Sequence, residues 1–220
     1  MVWMFRRSIS VVVLISLLSF LLYSCTGEQR SPVSDDPDRL ETALSKASEL
    51  QELIAIRDEI ATRAIALNVT PDDIRAAGLD ARRANELLGL TAEEAQARYE
   101  RINTLVGSLY ESYPQLKDVQ ARATYECAVC DVEGVAAAWE HLSKVLAPGA
   151  GGGVLAGAGA GQGLQAPARG PLKCKWTQLA VGFGLCAVKS GGSLLFYTAC
   201  SYGVFCGSCD GGIASVICPR

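Results

Sequence analysis

WTQLAVGFGLCAVKSGGSLLFYTACSYGVF, Trp176 to Phe205, is the stretch on which the fold class turns. Its apolar runs, Leu179 to Val188 and Leu194 to Ala199, are interrupted at Gly182, Gly184, Gly191-Gly192 and Gly203. Runs this short suit either buried helices or the strands of a hairpin. The aromatic and β-branched cluster Phe196-Tyr197-Thr198 speaks for strands. The balance of the pattern favours two helices, Trp176 to Lys189 and Ser193 to Phe205, joined at Gly191-Gly192. That is an αα-hairpin with Cys186 and Cys200 able to tie its arms.

The surrounding tail, residues 172–220, keeps the same character, with six Cys in 49 residues. Lys173, Lys175, Lys189 and Arg220 stand against Asp210, a net charge of +3. A module so small and glycine-rich needs staples, and each bridge stabilises by roughly 2–4 kcal/mol. Ahead of it, residues 149–171 read as a linker: eight of the fifteen residues from Gly149 to Gly163 are Gly, too little side chain to bury a core. The run holds no G-x-G-x-x-G and no G-K-[ST], which disfavours a phosphate-cradling loop.

Residues 38–148 read as an all-α domain. Asp36 is an N-cap with Pro37 at the first helical position. Leu40, Leu44, Ala47, Leu50 or Ile54, Ile60, Ala64 and Leu67 then form one apolar stripe on a single long helix. Thr70-Pro71-Asp72-Asp73 starts a short helix that Gly78 stops, and Asp80 starts another that Gly89 ends. Thr91-Ala92-Glu93-Glu94 is a capping box opening a helix that Pro114 terminates. Further helices are expected from Gln115 to Cys130 and from Val132 to Leu146. The fold class is therefore mainly α, with a disulfide-rich C-terminal module.

From Thr26 to Ala147 the chain has 22 Asp plus Glu against 13 Lys plus Arg, a net of −9. An acidic helical half joined to a cationic apolar tail suggests halves that attract each other or face different partners. The overall charge of −3 excludes a globally basic nucleic-acid binder, and a composition 50% hydrophobic excludes wholesale disorder.

The first 25 residues have the plan of a signal peptide: Arg6-Arg7, an apolar core from Val11 to Tyr23, then polar Thr26-Gly27-Glu28. That core is shorter than the roughly 20 residues of a membrane span. Leu22-Tyr23-Ser24-Cys25 resembles the lipobox of bacterial lipoproteins. The resemblance implies lipid on Cys25, residues 26–37 as a polar tether, and attachment to the cell envelope. With no Asp after Cys25, it implies the outer membrane where there are two. The alternatives are ordinary cleavage after a small residue such as Thr26, giving a secreted chain, and an uncleaved anchor.

Export leaves eight cysteines in an oxidising compartment, where disulfides are the default. They are Cys127, Cys130, Cys174, Cys186, Cys200, Cys206, Cys209 and Cys218. Cys127-x-x-Cys130 and Cys206-x-x-Cys209 could instead form a zinc site or a redox dithiol. Zinc is disfavoured by the separation of the pairs and by the compartment. Thiol–disulfide exchange is disfavoured by Glu126, whose negative charge raises rather than lowers the pKa of the neighbouring Cys127 thiol. Bridges from Cys127 or Cys130 into the tail would mark a docked tail, and a closed set within it a separable one.

His141, the single histidine, reads as a helix-surface residue beside Trp139 and Glu140. Glu93-Glu94 reads as capping rather than as a catalytic carboxylate pair. No nucleophile–base constellation is visible, so no catalytic residue, metal or cofactor is expected. Finally, Cys174-Lys175-Trp176, Gly-Leu-Cys186, Thr-Ala-Cys200, Cys206-Gly-Ser-Cys209-Asp-Gly-Gly and Val-Ile-Cys218 resemble the small cysteine-rich peptides of the halocin type. That resemblance implies an antimicrobial, bacteriocin-like peptide cut from an exported precursor, whose acidic N-terminal part is its immunity partner. Expected partners are a membrane, through Cys25 and the tail, and a protein surface for the cationic tail. A membrane-anchored binding or structural lipoprotein with its tail docked on the helices is the other reading.

Overall fold

Asp36 accepts a hydrogen bond from the Asp38 amide (3.0 Å) with Pro37 behind it, so helix α1, Pro37–Leu44, starts at its sequence signal. The computed structural model describes residues 36–122, 131–146, 169–212 and 214–218. The signal segment, Cys25, residues 26–35 of the tether, Cys127, Cys130 and the glycine-rich run to residue 168 lie outside them.

The long first helix expected from the apolar stripe is two helices. The Ser45 hydroxyl donates to the Thr42 carbonyl (2.8 Å), and the amides of Lys46 and Ala47 bond three residues back. Such local bonding by serine competes with helix continuation. Ala47 is extended, and the chain restarts as α2, Ser48–Ala66. The stripe survives the break, because Leu40, Leu44, Ala47, Leu50, Ile60 and Ala64 are all buried, but its last member, Leu67, is exposed at the end of α2.

Asn68, left-handed at φ 55°, ends α2 by letting the Val69 amide reach the Ala64 carbonyl (3.0 Å). Capping boxes at Thr70/Asp73 and Thr91/Glu94 open α3, Pro71–Ala77, and α5, Ala92–Ser112. Asp80 caps α4, Ala81–Glu86. Helices α6, Gln115–Arg122, and α7, Val132–Leu146, follow. On α7 the buried Trp139 indole donates to the Val69 carbonyl (2.8 Å), fastening α7 over the α2–α3 junction.

The tail is an αα-hairpin of α8, Trp176–Lys189, and α9, Leu194–Ser208, joined by a Cys186–Cys200 disulfide. Of the glycines that break its hydrophobic pattern, Gly191 and Gly192 lie between the helices, whereas Gly182, Gly184 and Gly203 lie within them. A Cβ on Gly182 would lie 2.2 Å from Val204 Cγ1, and one on Gly184 2.9 Å from the Tyr110 hydroxyl. These glycines permit close approach of neighbouring helices. Strand β1, Arg169–Cys174, pairs antiparallel with β2, Cys209–Gly212, and a disulfide joins the facing Cys174 and Cys209. Residues 169–171, read from composition as linker, thus belong to a strand. Helix α10, Ala214–Ile217, follows β2, and Cys206–Cys218 ties the end of α9 to the turn beyond it.

Every residue from Ser193 to Tyr202 is buried. A helix apolar all round needs cover on every side. Helix α8 packs against α1, α5 and α6, while α9 packs against α2, α4 and α7. The cysteine-rich hairpin is the centre of this mainly α fold, and the acidic helices are its coat. All the described residues fall in one compact unit.

Candidate functional site

The seam between the acidic helices and the hairpin carries the unusual polar chemistry of the molecule. Helix α8 begins after Lys175, which supplies no side-chain cap. The Glu41 carboxylate of α1 supplies it instead, accepting from the amides of Trp176 and Thr177 (3.1 Å for Thr177). A carboxylate here satisfies orphan amides and faces the positive end of the helix dipole. At the start of α9, where Ser193 caps the Phe196 amide (3.3 Å), Asn85 adds a second cap: its Oδ1 accepts from the Leu194 amide (2.9 Å) and its Nδ2 donates to the Gly192 carbonyl (3.0 Å). Tyr99 on α5 donates to the Ala187 carbonyl (2.9 Å) in the last turn of α8. Both helix starts of the hairpin are thus capped from the other half of the chain.

At the middle of the seam α2 inserts a charge. Arg57, 3% exposed, lies with Cζ 4.2 Å from the ring centre of Tyr202, 4.9 Å from Phe205 and 5.8 Å from Phe183. Its Nε and Nη2 donate to Asp58 Oδ1 (2.8 and 2.7 Å), which also accepts from the Tyr202 hydroxyl (3.1 Å). Arg57 Nη1, the Tyr197 hydroxyl and the Thr198 hydroxyl are buried without a hydrogen-bond partner. Burial pushes the Tyr197 and Tyr202 phenols well above their ordinary range, opposed in part by the Arg57 charge. Both phenols therefore stay neutral at physiological pH and offer no phenolate nucleophile. The cluster can grip and orient a cation.

The six tail cysteines form a closed set: Cys174–Cys209, Cys186–Cys200 and Cys206–Cys218. None is left for Cys127 or Cys130, which lie outside the described residues. Cys206 and Cys209 are bonded to different partners, so that C-x-x-C is not a dithiol pair here. Three disulfides mark an oxidising, exported environment. His141 lies half-buried on α7. Glu94 acts as the cap read from the sequence, its carboxyl held below the usual range chiefly by the Thr91 amide. Among the described residues, no cluster of three or more His, Cys, Asp or Glu could hold a metal ion. Among them, too, no helix is long and apolar enough to cross a membrane.

Sequence reading missed Glu41, Asn85 and the Arg57–Asp58 pair. Arg57 did leave a signal, since it sits on the buried face of α2 with Leu50, Leu53, Ile60 and Ala64. No protein-family model matches the chain, and neither does any curated protein or solved structure.

Proposed function

We propose that this is a non-enzymatic, exported precursor in which acidic helices sheathe a membrane-active, bacteriocin-like hairpin until the connecting segment is cut. The observation that carries the reading is the burial of α9 under the acidic helices α2, α4 and α7, which hold it without any disulfide, its bridge to α8 lying within the hairpin. An apolar, cationic hairpin of this kind is hazardous when bare, because such a surface partitions into anionic bilayers. Sheathed, it is inert, and its caps from Glu41 and Asn85 resemble those of a partner more than of a separate domain. Lipid on Cys25 would keep the intact chain in the envelope while the cut tail diffuses away.

The cut proposed here falls before Arg169, within the Gly/Ala-rich segment, and the pairing of β1 with β2 from Arg169 onward supports that position. Mass spectrometry of culture fluid should find a C-terminal species beginning between residues 150 and 169 with its three bridges intact. Finding full-length, cell-bound protein alone would defeat the release reading. Palmitate labelling tests the anchor, and Cys25→Ser should abolish the label. A second reading, an anchored binding lipoprotein with the hairpin as its permanent core, is favoured by the same central position of α9. It predicts that no shorter species forms.

A further inference from the structure

We infer that Phe183, Tyr202 and Phe205 form a guanidinium-binding site on the hairpin, and that Arg57 is the internal ligand filling it in the intact chain. All three rings belong to α8 and α9, whereas the cation comes from α2, the other side of the seam. Three ring centres stand within 5.8 Å of one guanidinium carbon. Each ring face carries the negative part of its quadrupole, so together they form a cage for a cation. Burying Arg57 to 3% exposure strips its hydration, a cost that a protein interior must offset. Asp58 offsets it through Nε and Nη2 only, and Nη1 has no hydrogen-bond partner. The rings supply the rest. A guanidinium suits them because it is flat and more weakly hydrated than an ammonium group.

The helical periodicity of α2 calls for an apolar residue at position 57, between Leu53 and Ile60 on the buried face. The cation there is matched to the hairpin's rings rather than to its own helix. Should the hairpin leave, Arg57 and Asp58 depart with the acidic half. The cage and the Tyr202 hydroxyl then become available to an arginine side chain of a protein partner. The internal-ligand role rests on the release reading above; the cage chemistry does not, and it can be tested on the uncut chain.

The test is Arg57→Ala in the full chain, followed by thermal unfolding with increasing ethylguanidinium chloride, N-ethylurea or choline chloride at constant ionic strength. Ethylurea matches ethylguanidinium in shape and lacks its charge. A saturable rise in Tm of a few degrees with ethylguanidinium, absent with ethylurea and absent in the wild type, is expected. No rise, an equal rise with ethylurea, or a larger rise with choline would overturn the proposal. If Arg57→Ala does not fold, the comparison moves to Asp58→Asn alone against Asp58→Asn with Arg57→Met, which keeps the stem volume. The double variant should melt several degrees lower, and an equal or higher Tm overturns the cage. Failure of these tests leaves release untouched, and absence of a released species leaves the cage untouched.

Discussion

Tyr197 and Tyr202 lie one turn and a residue apart on α9, both buried, yet only the Tyr202 hydroxyl has a partner, Asp58. An unpaired buried hydroxyl costs free energy that phenylalanine would not incur. Tyr197→Phe should therefore stabilise the chain by about 1 kcal/mol in denaturant titration, while Tyr202→Phe should destabilise it by a similar amount. Burial also raises both phenols above their ordinary value of 10.0. Their contribution to stability is whole below that pH and is lost as pH rises beyond it, because the unfolded chain ionises there and the folded chain does not. Urea midpoints measured from pH 8 to 12 should fall above pH 10, and less steeply in Tyr197→Phe. Such pairings were illegible beforehand: Asp58 and Tyr202 are 144 residues apart, and nothing local to either specifies the other. Arg57 was legible only as a misplaced charge on an apolar face.

At the scale of elements, the legible features were those that α-helices carry in their own first and last turns. Asp36-Pro37, Thr70 with Asp73, and Thr91 with Glu94 cap where their sequences indicate, because each bond spans two or three residues. The hairpin helices were legible for the same reason, with Gly191 and Gly192, both at positive φ, as their hinge. The break after Leu44 was not, since tertiary packing keeps the stripe continuous through it. Nor were Gly182 and Gly184, whose meaning lies in Val204 and Tyr110. Gly182→Ala should cost about 1–3 kcal/mol by forcing α8 from α9, read as a lowered denaturant midpoint with unchanged slope. The cap that Glu41 supplies to α8 comes from 135 residues away. Glu41→Ala should cost about 1 kcal/mol and speed amide exchange at Trp176 and Thr177 more than at the start of α9. Equal exchange at both sites would mean that Glu41 is not the cap.

For the whole molecule, the charge division between an acidic half and a cationic tail was plain in composition, and so was the need for bridges. Where the tail would sit was not. A closed set of tail disulfides is the expected mark of a separable module, yet the set is closed and the hairpin is central. Covalent closure and docking are independent, because docking here rests on apolar contact and a few polar caps. That independence makes the hairpin removable in principle once the peptide connection is cut. The most direct test is to cleave the purified chain within residues 150–168, without reductant, and to sediment it with vesicles containing anionic lipid. The hairpin fragment should pellet with the vesicles and the acidic half remain in solution, while the uncut chain stays soluble if its signal segment is removed. Fragments that stay together on the vesicles or in solution would contradict the sheathed-precursor account.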